Sequence, residues 1–162
     1  DSLIRGIGST EDGGFISILS KKIGKPIINL GVPGDTTRDG LLRLNDVTKR
    51  NPGTVFVLLG GNDYLKKVPQ EETFKNLKEI ITKLQSNGAM VVLLGVRGGV
   101  LSDKFSNDFR SLAEETGAVY VPDVLSGIIT KRELMYDTVH PNDTGYLLIA
   151  EKVYQRVSRY IR

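Results

Sequence analysis

The sequence contains no cysteine and only one histidine, His140, among its 162 residues. The absence of cysteine excludes disulfide bonds, thiol catalysis and cysteine-ligated metals. With so few nitrogen and sulfur ligands, we expect no transition-metal site and no cofactor. The lack of cysteine does not assign a compartment, because many exported proteins also lack it, so localisation stays open.

Long hydrophobic runs are missing as well, and no segment approaches the roughly 18 apolar residues of a membrane span. No signal-peptide pattern is visible, but the chain opens abruptly at Asp1, and we expect its N-terminus to be truncated. The phosphate-binding patterns G-x-x-x-x-G-K-[ST] and G-x-G-x-x-G do not follow any apolar segment. A nucleotide-binding role is therefore supported only by glycine-rich turns that precede helices.

The sequence also lacks a large excess of one charge, since it has 22 lysines and arginines and 19 aspartates and glutamates, for a net charge of +3. The basic residues are scattered, whereas nucleic-acid-binding proteins gather them on one face or in runs. The densest basic cluster comprises Lys152, Arg156, Arg159 and Arg162. We interpret it as a solvated helix face rather than an anion-binding patch, and we expect no nucleic-acid partner.

The length and the hydrophobic content of 40% are typical of one soluble globular domain, which we expect to span residues 1–162. Helical patterns alternate with short apolar segments. The predicted helices span residues 10–24, 36–50, 70–87, 102–116 and 141–161, and the predicted strands span residues 26–30, 54–59, 89–96 and 118–121. Ser9 or Thr10 is expected to cap the first helix, and Asp35 or Thr36 the second.

The predicted strands are almost continuously apolar, which indicates burial on both faces of a parallel sheet. Their alternation with helices predicts an α/β fold, with helices on both faces of that sheet. Open sheets of this kind bind ligands beyond the carboxyl ends of their strands. Four segments with polar groups lie where such a site is expected: residues 1–3, 31–37, 58–63 and 137–142.

The first and last of these segments offer a nucleophile and a base. His140 is the only imidazole available as a general base near neutral pH. Asp137, three residues earlier, can accept a hydrogen bond from the ring Nδ1–H and fix the tautomer. Ser2 becomes a nucleophile if this base approaches it. The alternatives are a histidine that merely flanks a helix beginning at Pro141 and an ordinary terminal serine.

The two middle segments offer hydrogen-bond donors. Gly34 follows Pro33 in a turn that favours a positive φ at the glycine, and its N–H can point at an oxyanion. Asn62 follows two glycines after an apolar strand, and its side-chain amide can donate to the same oxyanion. The alternatives are a simple turn before a helix and a loop asparagine bonded to its own backbone.

In chain order, the four segments resemble the four sequence blocks of the SGNH, or GDSL-type, serine hydrolases. The matching stretches are Asp1-Ser2-Leu3, Gly31-Val-Pro-Gly-Asp-Thr-Thr, Gly60-Gly-Asn-Asp and Asp137-Thr-Val-His-Pro-Asn. They put Ser2, Gly34, Asn62 and His140 at the four positions that give the family its name. Four ordered blocks over the whole chain are a specific signal, most similar to the small bacterial arylesterases, lysophospholipases and acyl-thioesterases.

The resemblance implies a three-layer α/β/α, flavodoxin-like fold with a parallel central sheet. It also implies an enzyme that hydrolyses carboxylic or thio esters of small or medium acyl groups through an acyl-enzyme. Ser2, Asp137 and His140 would form the catalytic triad, and the N–H groups of Ser2 and Gly34 with the Asn62 amide the oxyanion hole. The implied partner is a small-molecule ester. The absence of a G-x-S-x-G elbow argues against the α/β-hydrolase fold.

The chain departs from the family pattern at three places. The glycine and the first strand expected before Asp1 are not in the sequence, so the four predicted strands are one fewer than the family's five. Thr138 stands where many members have glycine, and the segment from Arg97 to Ser102 also differs. The alternatives kept open are a carbohydrate O-acetyl esterase, a non-catalytic flavodoxin-like binding module and an inactive family member that scaffolds partners.

Overall fold

The computed structural model describes residues 1–10, 13–99 and 103–161, which fall into two compact units. The terminal unit comprises Asp1–Gly34 and Val124–Arg162, and the central unit comprises Asp35–Asp123. The expectation of a single domain over residues 1–162 stays a prediction. In chain order the elements are α1 (Ser2–Arg5), α2 (Gly14–Ile23), α3 (Thr37–Leu42), α4 (Leu44–Thr48), β1 (Thr54–Val57), α5 (Gly61–Leu65), α6 (Gln70–Ser86), β2 (Met90–Leu94), α7 (Ser106–Thr116), β3 (Val119–Val121), a 3-10 helix (Arg132–Leu134) and α8 (Asp143–Val157).

The central unit is built on a parallel sheet of three strands in the order β1-β2-β3. Val55 pairs with Val91, and Leu93 pairs with Tyr120. The middle strand, β2, is almost fully buried from Val91 onward, as its continuous apolar sequence predicts. Helix α6 packs on β2, and α7 packs on β3. The predicted α/β class, with a parallel sheet flanked by helices, is confirmed.

Helix α6 shows why these elements form. Its buried residues recur at intervals of three and four, which gives one apolar stripe toward the core. They are Thr73, Leu77, Ile80, Ile81 and Leu84. Glu71 and Glu72 lie in its first turn, where carboxylates favour the positive end of the helix dipole. The predicted boundaries, residues 70–87, differ from the observed ones by one residue at the end.

In the terminal unit, α2 packs on α8, and α1 packs on α2. Phe15 from α2 and Tyr146 from α8 are fully buried and stack with their ring centroids 6.3 Å apart. Helix α2 ends where Gly24 adopts a φ of +71°, a left-handed conformation that glycine adopts without strain. None of the helices in the described ranges combines the length and hydrophobicity that crossing a bilayer requires.

The strand predicted at residues 26–30 is wrong, because the structure assigns no strand there. An apolar run forms a strand only where a neighbouring strand supplies a regular ladder of backbone hydrogen bonds. Here the Asn29 side chain makes isolated hydrogen bonds instead, one of them to a residue of α1. Its Nδ2 donates to the Ile4 carbonyl at 2.6 Å, and its Oδ1 accepts from the Gly31 N–H at 2.9 Å.

The single helix predicted at residues 36–50 is two helices, α3 and α4, which meet at Arg43. Two nitrogens of the Arg43 guanidinium lie 2.7 Å from one Asp35 carboxylate oxygen, and Arg43 has the non-helical angles φ −104° and ψ 15°. The expected cap is confirmed at Thr36, whose hydroxyl accepts from the Asp39 N–H while the Asp39 carboxylate accepts from the Thr36 N–H.

The start of the first predicted helix is also wrong. Helix α2 begins at Gly14 with Gly13 as its N-cap, and Ser9 and Thr10 do not cap it. Their hydroxyls donate to the Asp143 carboxylate instead. Glu11 and Asp12 of the predicted helix lie outside the described residues, as do Ser102 of the predicted helix 102–116 and the end of the Arg97–Ser102 segment.

Candidate active site

The N-terminal segment forms a short helix that the sequence did not predict. Asp1 is the N-cap of α1, and its Oδ1 accepts from the N–H groups of Leu3 and Ile4 at 3.0 and 3.3 Å. Ser2 is therefore the first helical residue, where a backbone N–H has no partner within the helix. Among the described residues, no protein group accepts from the Ser2 N–H. Helix α1 ends at Gly6, which has a φ of +89°.

The His140 loop is held in shape by the Asp137 carboxylate. One carboxylate oxygen, Oδ1, accepts from the backbone N–H groups of Val139 and His140, both at 2.8 Å. The other, Oδ2, lies 2.8 Å from Nδ1 of the His140 ring. The Tyr136 N–H donates to the His140 carbonyl at 2.8 Å and closes the loop. Both carboxylate oxygens are thus committed, and the ring orientation is fixed.

Ser2 lies next to this loop in the structure, although it is 138 positions from His140 in the sequence. Nε2 of His140 lies 3.0 Å from Oγ of Ser2, within hydrogen-bond distance. The His140 side chain is 18% exposed, whereas the Asp137 side chain is 41% exposed. Ser2, His140 and Asp137 therefore form a continuous chain of hydrogen bonds. A hydroxyl, an imidazole and a carboxylate in this order are the arrangement of an activated serine.

Asp137 stays ionised under ordinary conditions. Its hydrogen bond with His140, assisted by the backbone N–H groups of Val139 and His140, lowers the pKa of Asp137 to about 2. A carboxylate with a depressed pKa in the folded state stabilises that state at pH values above the unfolded pKa of about 3.9. This contribution is lost as the pH falls toward 2. At neutral pH, Asp137 can accept the Nδ1–H and balance a positive charge on the ring.

Gly34 has the conformation that the sequence predicts. It follows Pro33 in a turn and adopts a φ of +83°, a region that L-residues with a Cβ rarely occupy. No neighbouring atom lies within 4 Å of the position that a Cβ would take, so the backbone conformation, rather than crowding, favours glycine here.

Asn62 belongs to the central unit and is the second residue of α5, whose N-cap, Gly60, has a φ of +110°. Its Nδ2 donates one hydrogen bond to the Asp35 carbonyl at 2.9 Å. Within the described residues, no protein group takes up the second N–H of this amide. The adjacent Asp63 is fully buried and accepts from the N–H and hydroxyl of Thr37 at 2.9 and 2.5 Å. The short helix α5, which carries Asn62, is thereby anchored to Thr37.

Sequence analysis missed Asp1 and Asp143. An aspartate immediately before a helix is a readable N-cap signal, but a helix of only four residues leaves no periodicity to detect. Asp143 accepts from Ser9 and Thr10, more than 130 positions away in the sequence. No local pattern could have indicated that contact.

Known proteins resemble the chain over nearly its full length. Residues 1–148 match the GDSL-like lipase/acylhydrolase family. An arylesterase from Vibrio mimicus is 34% identical over 142 residues, which are 83% of this chain and 71% of that protein. The thioesterase 1/protease 1/lysophospholipase L1 of Escherichia coli K12 is 28% identical over 160 residues, 93% of this chain and 77% of that protein.

Solved structures show the same relationship. The crystal structure of TesA matches this chain with a TM-score of 0.90 at 26% sequence identity, covering 98% of this chain and 95% of that one. The family match, the identity with the arylesterase and this structural likeness all agree with the resemblance carried by the four sequence blocks. The chain therefore belongs to the GDSL-like lipase/acylhydrolase family and is a carboxylic ester hydrolase with an α/β fold.

Proposed function

We propose that Ser2 is the nucleophile, His140 the general base and Asp137 the residue that orients His140 in the hydrolysis of carboxylic and thio esters. One observation carries this assignment: Oγ of Ser2, the His140 ring and the Asp137 carboxylate are joined by contacts of 3.0 and 2.8 Å. Proton transfer needs these distances, and among the described residues His140 is the only imidazole.

In the first half of the reaction, Ser2 Oγ attacks the acyl carbon while its proton passes to Nε2 of His140. A bond forms between Oγ and carbon, and the carbonyl oxygen becomes an oxyanion. Asp137 stabilises the imidazolium without taking its proton. The oxyanion then collapses, the bond to the leaving oxygen or sulfur breaks, and His140 gives its proton to that group. An acyl-Ser2 ester remains.

In the second half, His140 removes a proton from water, and the hydroxide oxygen attacks the acyl carbon. The bond between that carbon and Ser2 Oγ breaks, and His140 returns its proton to Oγ. The products are a carboxylic acid and the regenerated serine. Every step uses the same imidazole in alternating roles, so one histidine suffices for the cycle.

We propose that the oxyanion is stabilised by the N–H groups of Ser2 and Gly34 and by the Asn62 amide. The Ser2 N–H is at the first position of α1, which leaves it unused by the helix. The Asn62 amide spends one N–H on the Asp35 carbonyl and retains a second. The assignment of Gly34 and Asn62 rests on their match to the family blocks.

Substitution of Asn62 by alanine tests this assignment. If the amide donates to the oxyanion, kcat falls about 10²- to 10³-fold, the usual effect of removing one such donor. Steady-state kinetics with p-nitrophenyl acetate measure the loss. Asn87→Ala is a matched control, because Asn87 also donates its amide to a backbone carbonyl, that of Lys83, at 2.8 Å. Full kcat in Asn62→Ala would remove Asn62 from the oxyanion hole.

We propose aryl esters and acyl thioesters with small or medium acyl groups as substrates. The Vibrio mimicus relative is named an arylesterase and the Escherichia coli relative a thioesterase, which supports both leaving groups. Carbohydrate O-acetyl esters remain the second candidate, since the same triad serves them.

A substrate panel separates these possibilities. We expect turnover of p-nitrophenyl acetate and butyrate with kcat/KM above that of the octanoate, and turnover of a short-chain acyl thioester. Acetylated xylan should release acetate far more slowly than the aryl acetate. Faster release from the acetylated glycan would reverse the substrate assignment, and a folded protein that cleaves no ester would overturn the proposed function.

A further inference from the structure

Helix α1 cannot hold Ser2 in place by itself. It has four residues, and a helix of this length has too few internal hydrogen bonds to be stable alone. The distance between Ser2 and His140 therefore also depends on what fixes the chain on the C-terminal side of α1. Residues 7–10 are that part of the chain, and their contacts lead to α8.

Asp143, the first residue of α8, binds the end of this segment with both carboxylate oxygens. Its Oδ1 accepts from the Ser9 hydroxyl at 2.7 Å and from the Thr10 N–H at 2.9 Å. Its Oδ2 accepts from the Thr10 hydroxyl at 2.6 Å. Three hydrogen bonds thus connect residues 9 and 10 to a residue that lies three positions after His140.

Tyr146 binds the same segment from one turn further along α8. Its hydroxyl donates to the Ile7 carbonyl at 2.6 Å, and the side chain is fully buried. Burial, together with the negative charge of Asp137, raises the pKa of Tyr146 well above its ordinary value. The hydroxyl therefore stays protonated at neutral pH and can donate this hydrogen bond.

The backbone at Gly6 and Gly8 packs closely against neighbouring segments of the chain. A Cβ on Gly8 would lie 2.6 Å from the carbonyl oxygen of Pro141, which directly follows His140 in the sequence. A Cβ on Gly6 would lie 2.4 Å from the Gly14 nitrogen. At Gly8 and Gly6 the backbone approaches the neighbouring segments more closely than a residue with a Cβ would allow. We therefore expect movement of residues 6–10 relative to α8 to be transmitted to α1.

We propose that Asp143 and Tyr146 are positioning residues that set the distance between Ser2 Oγ and His140 Nε2. One helix, α8, follows directly on the base and carries both groups that hold the chain leading from the nucleophile. In the described part of the chain, neither residue is hydrogen-bonded to Oγ of Ser2 or to Nε2 of His140. Their effect is on the alignment of the two groups that exchange the proton, and it rests on the proposed role of Ser2 as nucleophile.

Three variants test the proposal: Asp143→Ala, Asp143→Asn and Tyr146→Phe. Because a displacement of about 1 Å costs about 10²-fold in rate, we expect kcat to fall about 10- to 100-fold in Asp143→Ala and about 10-fold in Tyr146→Phe. KM should change by less than about twofold, since the lost interactions are not with substrate. Kinetics with p-nitrophenyl acetate well below the melting temperature measure both.

Asp143→Asn separates hydrogen bonding from charge. The asparagine loses the negative charge that favours a helix N-terminus, as alanine does, but its oxygen still accepts from Ser9 and Thr10 and its amide can donate to the Thr10 hydroxyl. We expect kcat within about threefold of wild type. Equal losses in Asp143→Asn and Asp143→Ala would overturn positioning by these bonds.

Ser20→Ala is the control for Tyr146→Phe. Ser20 lies in the same unit, and its hydroxyl also donates to a backbone carbonyl, that of Lys25, at 2.7 Å. This change should lower stability without lowering kcat. If Asp143→Ala and Tyr146→Phe keep the wild-type kcat while Ser2→Ala is inactive, the positioning role is contradicted but the proposed function is not. An active Ser2→Ala would instead sink the proposed function on which it rests.

Discussion

Replacing Ser2 by alanine is expected to lower kcat for ester hydrolysis about 10⁶-fold, the loss seen when the nucleophile of a serine triad is removed. The reason is that Oγ forms the covalent bond of the proposed mechanism, and no other hydroxyl in the described residues lies within hydrogen-bond distance of Nε2 of His140. Initial rates of p-nitrophenyl acetate hydrolysis measure the effect, with circular dichroism to confirm folding.

Two further measurements identify Ser2 as the group that is acylated. A p-nitrophenyl alkylphosphonate should add one phosphonyl group per chain, and peptide mass mapping should place it on Ser2. The Ser2→Ala chain should remain unlabelled, whereas Ser9→Ala, which loses one of the three hydrogen bonds to Asp143, should still be labelled. A label on any other residue, or undiminished turnover by Ser2→Ala, contradicts the nucleophile assignment.

If Ser2 and His140 act as a unit, their losses do not add. His140→Ala should lose about as much kcat as Ser2→Ala, and the double variant should lose no more than either single variant. Additive losses would show that the two residues act independently, which the 3.0 Å contact between them makes physically unreasonable.

Asp137→Asn is expected to lower kcat about 10⁴-fold while leaving the fold intact. The structure gives the reason. The Asp137 oxygen Oδ1 accepts two backbone N–H groups, so the asparagine oxygen will keep that position and turn its NH₂ toward Nδ1 of His140. An NH₂ donor forces Nδ1 to be the acceptor and puts the ring proton on Nε2. In that tautomer, His140 cannot take the proton of Ser2.

The tautomer can be observed directly, because the chain contains one histidine. Nitrogen NMR of the neutral ring should place the proton on Nδ1 in the wild type and on Nε2 in Asp137→Asn. The Asp137 pKa of about 2 adds a second expectation, namely that ionisation of Asp137 contributes no inflection to kcat/KM between pH 4 and 9. A loss below about tenfold in Asp137→Asn would contradict the orienting role.

Much of the fold and of the candidate site is predictable from the apolar strands and from the order of the four sequence blocks. Three of the four predicted strands correspond to β1, β2 and β3, because long apolar runs in a parallel sheet are recognisable without alternation. The positive φ of Gly34 followed from the Pro-Gly turn. Ser2 and His140 were paired by resemblance, and the structure brings them within 3.0 Å of each other.

The failures have physical causes that local sequence does not contain. Residues 26–30 have the composition of a strand, but strand formation depends on a neighbour, not on composition alone. The break at Arg43 depends on its pairing with Asp35, and a continuous helical pattern gave no sign of it. Ser9 and Thr10 are good capping residues, yet their hydroxyls bind Asp143 from the far end of the chain. At Arg43, and at Ser9 and Thr10, a side-chain contact with a residue outside the predicted helix overrides the local preference.

The four-residue length of α1 also decides how the enzyme loses activity. A nucleophile on a long helix or a central strand would survive partial opening of the protein, since its element is stable against local fluctuation. If Ser2 is the nucleophile, its hydroxyl is held by groups from other elements of its unit, and we expect any opening that separates residues 6–10 from α8 to abolish activity while the sheet of the central unit is still intact. Turnover would then report the integrity of the terminal unit, and we expect thermal inactivation to precede loss of the protein's overall secondary structure.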